Sequence, residues 1–302
     1  MKNFKKHYKK VSILIMFILA ISILGCSNKN STIKIATKPM TEQFILGEML
    51  SLLIENNTNL NVELTKGVGG GTSNIHPAII KSDFDLYPEY TGTAWSFVLK
   101  EEGIPDDKTL YKNLIEKYES QYNLKWIGLY GFNNTYGLAI RKDIAEKYNI
   151  KTYSDLLAYS PELTFGGEYD FYEREDGFDA LCSTYGLKFK KSCDMDIGLK
   201  YKAINSKEID VMNVFTTDGQ LANSDVMMLK DDKNFYNTYY CGTVIRKDIL
   251  KEHPELEDVL MKMENILTDK EMAELNNKVD EDGYNEREVA KEFLINKGLL
   301  KQ

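Results

Sequence analysis

Three histidines, His7, His76 and His253, are all that this 302-residue chain offers for acid–base work by imidazole near neutral pH. None stands in an HExxH, and no GxSxG nucleophile turn or GxxxxGK[ST] phosphate loop occurs. His76, beside a run of glycines, reads as a helix-start or surface residue. Cys26, Cys182, Cys193 and Cys241 lack the CxxC spacing of a metal or redox site. With 46 Asp and Glu residues, no carboxylate pair can be singled out without geometry. The chain therefore reads as a non-enzyme with no cofactor and no metal. The aromatic residues are more informative. Of nineteen tyrosines, Tyr87, Tyr90, Tyr136, Tyr239 and Tyr240 stand where strands meet loops, as does Phe215 in VFTTDGQ. Most tyrosines would fill cores and surfaces, which explains less well a set placed at strand ends. A ring face carries negative quadrupole density and attracts a soft cation that cannot donate a hydrogen bond; quaternary ammonium is that cation. Each desolvated face is worth ~1–2 kcal/mol, so a box of about four gives micromolar binding after the cost of association.

The elements that must position these rings follow an α/β pattern, short β-rich apolar runs alternating with helical periodicity. Strands are expected at residues 32–37, 61–66 and 84–87. A helix is expected at 41–55 with Thr41 as its N-cap, and another near 74–81. The glycines at 67–71 read as a tight strand-to-helix turn beside a cleft, since no GK[ST] follows to make a phosphate cradle. TYGLAIRKDI at 135–144 is echoed by YYCGTVIRKDI at 239–249. Two such strands are what a chain crossing twice between lobes would contain. Lobe one is accordingly expected at residues 31–135 plus 240–302, and lobe two at 136–239. Helices at 254–266, 269–280 and 285–296 are expected to pack across the outside of lobe one.

Residues 1–25 read as a signal and not as part of the fold. Lys2, Lys5, Lys6, Lys9 and Lys10 precede an apolar stretch at 11–24, too short for a bilayer span, and ILGC closes it like a lipobox. Cys26 would then carry lipid and anchor the protein at the extracytoplasmic face of the cell membrane. Removing the signal takes away five lysines and no acids, moving the formal net charge from −8 to −13. So acidic a body argues against nucleic acid or anionic lipid as a ligand. The remaining cysteines are odd in number; buried small hydrophobes is the plain reading, and Cys182 with Cys193 is the closer pair for a bridge.

ATKPMTEQFILGEML, GVGGGTSNIHPAI, DLYPEYTGTAW, EYDFYEREDGF and VFTTDGQL, spread from residue 33 onward, resemble the glycine betaine/carnitine/choline-binding subunits of osmoprotectant ABC transporters. Relatives with EYDFYEREDG-like segments include ergothioneine binders. The resemblance implies an α/β, two-lobed type II periplasmic-binding-protein fold with the ligand cleft between lobes. It implies a monomer serving a membrane permease and its ATPase, with a trimethylammonium compound as ligand and ergothioneine as the alternative. An enzyme or a surface lipoprotein that borrowed the fold is the third reading. Site residues transfer by position. Tyr90, Tyr136, Phe215 and Tyr239 would be cage walls, with Phe215 replacing a tyrosine of some relatives and Tyr239 chosen over Tyr240 by spacing. Phe44 is a further wall candidate. Thr93 completes the tyrosine-x-x-threonine segment, unless it only caps a helix. Asn134 stands where relatives carry an aspartate. Arg174 would take a ligand carboxylate, unless it pairs with Glu173, Glu175 or Asp176, and Lys38 would add a second cation, unless it is a solvated loop residue.

Overall fold

Ile33 and Ile35 are buried while Thr32 before them and Lys34 between them are exposed, and this period of two makes the first strand of a sheet. The computed structural model describes residues 31–301 apart from 104, 169, 170, 173–176, 196 and 237. Residues 1–25, expected to be a signal, Cys26 and Arg174 lie outside the described residues.

The first sheet takes β1 (Thr32–Ala36), β2 (Asn61–Thr65), β3 (Leu86–Tyr90), β4 (Leu124–Asn133) and, from far along the chain, β10 (Tyr240–Arg246). Its order is β2-β1-β3-β10-β4. The second takes β5 (Tyr136–Arg141), β6 (Thr164–Gly167), β7 (Lys191–Asp194), β8 (Val211–Phe215) and β9 (Val226–Met228), in the order β7-β6-β8-β5-β9. β1 pairs parallel with β3 and β6 parallel with β8, and each sheet admits one strand antiparallel to both its neighbours, β10 in the first and β5 in the second. Two α/β lobes result, and the backbone passes between them at residues 134–135 and again between β9 and β10.

In lobe one, α1 (Thr41–Asn57) is buried nearly all round. Leu46, Met49 and Leu53 lie in one cluster with Ile33 and Leu86 of the sheet and with Leu256, Met272 and Phe293 of the C-terminal helices. The other face of that sheet is covered by α2 (Thr72–Ile80) and α3 (Asp107–Tyr122), around Tyr87, Tyr118 and Trp126. Lobe two has its own pair of clusters, one about Phe165, Phe171 and Tyr153 and one about Met212 and Tyr201. Leu181 of α5, which follows the short α4 (Lys142–Tyr148), belongs to the first; α5 spans Phe178–Tyr185. Ile204 of α6 (Ile197–Asn205) belongs to the second.

The IRKDI echo has a structural cause. Arg246 reaches Asp85 with Nη1 at 3.1 Å and closes on Asp248 two residues on. Arg141 reaches Asp210 at 3.0 Å and Asp143 at 2.6 Å. Asp85 Oδ2 accepts the Lys34 N–H and Asp210 Oδ2 accepts the Thr164 N–H, both at 2.9 Å. Each lobe thus ties the parallel strand beside its central strand (β1 or β6), the start of that central strand (β3 or β8) and the exit of its antiparallel strand through one arginine. Beyond these exits run α4 in lobe two and α7 (Lys247–Glu252) in lobe one.

Some expectations shift. Thr41 is inside α1, whose N-cap is Met40 with no side-chain cap; the Thr41 hydroxyl donates to Asp280 at 2.6 Å instead. β3 runs three residues further than expected, to Tyr90. The helix expected at 254–266 is only α8 (Glu255–Met261). It stops because the next residues lie along β4: the Asn265 and Leu267 N–H groups donate to Leu129 and Tyr130 carbonyls at 2.8 and 2.9 Å. Gly131, at φ 103°, permits that approach, since a Cβ there would sit 2.5 Å from the Leu267 carbonyl oxygen. α9 (Asp269–Asp280) and α10 (Glu286–Asn296) stand where the periodicity put them. α9 is not confined to lobe one, however. Asn276 Nδ2 donates to the Thr217 carbonyl at 2.8 Å, and a Cβ on Gly219 would meet Asn277 N at 2.6 Å.

Candidate ligand-binding cleft

Strand register sets the rings. Tyr90 ends β3 and Phe215 ends β8, each the fifth residue after its lobe's clamp aspartate. Tyr136 begins β5 directly opposite Phe215. Its ring lies 4.6 Å from that of Phe215 at 30°, with buried Phe171 behind it at 5.4 Å. Ligands of open α/β sheets bind beyond the carboxyl ends of the strands, and here those ends border one cavity of about 560 Å³. Lys38, Tyr90, Thr93, Asn134, Tyr136, Phe215 and Tyr239 all line it.

Tyr239 is held by its neighbours. Its N–H donates to Asn133 Oδ1 at 2.6 Å, and its carbonyl accepts the Asn134 N–H at 3.2 Å. The ring lies so close to Gly92 that a Cβ there would stand 2.6 Å from it. Tyr240 is not among the lining residues; burial, and then the charges of Asp107 and Asp269 nearby, push its phenol up. Phe44 is also not among them; its ring faces the glycine turn, 3.5 Å from where a Gly67 Cβ would be. Thr93 closes a single helical turn, Thr91–Thr93, that runs into a π-turn, Ala94–Val98, without a side-chain cap. That π-turn brings Ser96 and the 55% exposed Phe97 to the cavity. The sequence alone does not single out Met40, Gly92, Ser96 or Phe97. The signal that could have done so is the unusually aromatic YTGTAWSF run, which also suits an ordinary amphipathic helix.

Two carboxylates accept hydrogen bonds from Tyr90. Glu89, fully buried, pairs with the Lys38 ammonium and accepts the Thr72 hydroxyl at 2.7 Å. The ammonium also sits 4.4 Å from the centre of the Tyr90 ring. Lys38 therefore borders the cavity with its charge already matched. The glycine turn serves this arrangement: Gly70 and Gly71, at φ 75° and 53°, turn the chain so that Thr72 opens α2 at Glu89. Glu42 takes the Tyr90 hydroxyl on Oε1, where Asn134 Nδ2 also donates at 2.9 Å. Burial raises the Glu42 carboxyl above its ordinary range, against the lowering effect of those hydrogen bonds. Burial and then the Glu42 charge push the Tyr90 phenol far up, so it stays a donor. His76 is buried, not at the surface, against Tyr87, Tyr118 and Tyr122, and burial lowers its basicity. Cys182, Cys193 and Cys241 are free, the first two half-buried. Among the described residues no group of three or more His, Cys, Asp or Glu could hold a metal ion.

The model of the substrate-binding domain of ABC-type glycine betaine transport systems matches residues 31–296. The chain belongs to this family. The family consists of solute-binding proteins of transporters. Within it, an ergothioneine transport permease/ergothioneine binding protein of Helicobacter pylori (strain G27) is 44% identical over 99% of this chain and 54% of its own length. The chain thus spans about half of that relative. A carnitine transport binding protein of Listeria monocytogenes is 36% identical, covering 96% of both chains. A crystal structure of a glycine betaine/carnitine/choline ABC transporter protein superposes with a TM-score of 0.84 at 32% identity, covering 88% of this chain and 99% of that one.

Proposed function

We propose that the chain is the extracytoplasmic solute-binding subunit of an ABC importer and captures a trimethylammonium compound such as glycine betaine, carnitine or choline in an aromatic cage. The observation that carries this reading is one cavity bordered by Tyr90 and Tyr239 from one side and Tyr136 and Phe215 from the other. A cation without N–H groups gains from such faces and leaves no donor unpaired. Closure is proposed to hinge residues 31–135 with 240–302 against residues 136–239. A ligand touching both halves favours the closed state. Arg174 is the proposed partner of a ligand carboxylate. Cys26 is the proposed lipid anchor after removal of residues 1–25, with the body a monomer that docks on a permease; no helix among the described residues is long and apolar enough to cross a membrane.

A second reading keeps the role and makes ergothioneine, a bulkier betaine, the ligand. It is supported by the 44% identity to the Helicobacter protein and by a cavity of about 560 Å³. One calorimetric series decides between them: glycine betaine, carnitine, choline and ergothioneine titrated singly and in competition into the mature protein. Tightest binding of any of the first three supports the main reading, and displacement of all three by ergothioneine supports the second. No heat and no thermal shift with any of them overturns both.

A further inference from the structure

A second cavity, of about 270 Å³, adjoins the cage and shares Met40, Asn134 and Phe215 with it. Its polar floor is Glu42, a side chain only 4% exposed. Oε1 is occupied by Tyr90 and Asn134. Among the described residues Oε2 makes no direct hydrogen bond, although Thr217 and Asn276 lie near enough to favour its charge against burial, and the buried amide oxygens of Asn134 and Asn276 on the same cavity are also without partners. Among the described residues no cationic side chain pairs with Glu42. The nearby ammonium, Lys38, is committed to Glu89. The other ionisable groups facing Glu42 are the Tyr90 phenol from β3, the Cys241 thiol from β10, Asp218 from the turn after β8 and Asp280 from α9. All of these are acids.

We infer that Glu42 is the buried counter-anion of the bound trimethylammonium group, and that capture of the ligand expels one proton from this carboxyl to solvent. The inference rests on the trimethylammonium reading. Burying a lone carboxylate is costly, so without ligand the group keeps its proton on Oε2, facing the second cavity. Burial is the leading cause that raises it. A fixed positive charge arriving against Tyr90, whose hydroxyl is bonded to Glu42, favours the ionised form. The balance is a carboxylic acid plus a free quaternary cation giving a carboxylate beside the bound cation plus one aqueous proton. The ionised carboxylate also polarises the Tyr90 hydroxyl and enriches the ring face the cation meets. Glu42 accepts the Tyr90 hydroxyl and acts on the ligand through it, so it is a positioning residue.

Linkage fixes the sign: where the ligand-free carboxyl is protonated, affinity rises with pH by up to about tenfold per unit, then levels off above its ligand-free midpoint. The experiment is calorimetry with choline, which has no group titrating in the range, at several pH values and in two buffers of different ionisation heat. Glycine betaine, carnitine or ergothioneine replaces choline if it binds more tightly. Up to one proton released per ligand is expected for the native protein and for Glu42→Asp, and none for Glu42→Gln, which should bind more weakly at high pH with no pH slope. Release persisting in Glu42→Gln, or no release by the native protein at any pH, overturns the inference. The native proton count decides it even if Glu42→Gln does not fold. If no ligand of the panel binds, the ligand class has failed; Glu42 is then judged by proton titration of ligand-free native protein minus Glu42→Gln, or minus Glu42→Asp if that variant alone folds. A midpoint at or below the ordinary carboxylate range overturns its role.

Discussion

At Tyr90 the ring and the hydroxyl serve different neighbours: the residue borders the cavity with the Lys38 ammonium against its ring, while the oxygen is tied to Glu42. Tyr136 differs, being stacked among Phe215, Phe171 and Tyr236. Replacing either by Leu keeps bulk and removes the quadrupole, and calorimetry should show a loss of about 1–2 kcal/mol for a trimethylammonium ligand. Tyr136→Phe should lose little. Tyr90→Phe should lose more than that, because the link to Glu42 goes with the hydroxyl. Equal losses for the two Phe variants would separate the cage from Glu42. Gly92→Ala should weaken binding while the protein stays folded, since the new methyl would stand 2.6 Å from the Tyr239 ring; unchanged affinity would mean that Tyr239 is no wall. Much of this set is legible in the sequence, because aromatic residues at strand ends face whatever lies beyond the sheet. Glu42 is not legible: an acid in the first turn of an apolar helix reads as a complement to the helix dipole, and only the fold brings Tyr90 and Asn134 to it.

The arginine clamps are the elements' shared device. Arg141 and Arg246 are each largely covered and each holds two aspartates. Truncating either to Ala leaves Asp210 or Asp85 poorly matched and should cost roughly 1.5–3 kcal/mol of stability in urea unfolding. A loss within error of zero would show the clamp to be ornamental. The IRKDI echo is legible because local exit chemistry repeats in local sequence. The partner aspartates, 161 and 69 residues away from their arginines, are not, since nothing local marks Asp85 or Asp210 among 46 acids. The same limit explains α9. Its own boundaries follow from periodicity and a Thr268–Glu271 capping box. Its reach to Gly219 depends on the tertiary approach of a glycine that reads as an ordinary turn residue.

For the molecule as a whole, buried acids and the acids paired at its surface pull the response to pH in opposite directions. Asp143 and Asp248 are held low by the hydrogen bonds of Arg141 and Arg246. Glu42, Asp85 and Asp218 are raised in the fold, chiefly by burial. A raised carboxyl contributes stability that is full below its unfolded pKa and is lost as pH rises through its folded pKa. Glu42→Gln should therefore melt above the native protein at about pH 8, with the difference closing toward about pH 4; a constant offset would mean the carboxyl never holds its proton. Saturating ligand should raise the melting temperature with its concentration, as binding to the folded state alone requires. The two-sheet plan is legible from alternation and the echo, whereas the partition of labour between the lobes is not. Both tryptophans, Trp95 and Trp126, sit in the same cluster of the first sheet, 5% and 2% exposed. The protein thus carries its own optical probes on one side only. Its native emission should be blue-shifted, and any ligand-dependent change should come through Trp95, one residue from Ser96 on the cavity-lining π-turn. A rearrangement confined to the second lobe would leave that emission unchanged, so fluorescence and calorimetry will report different parts of the same event.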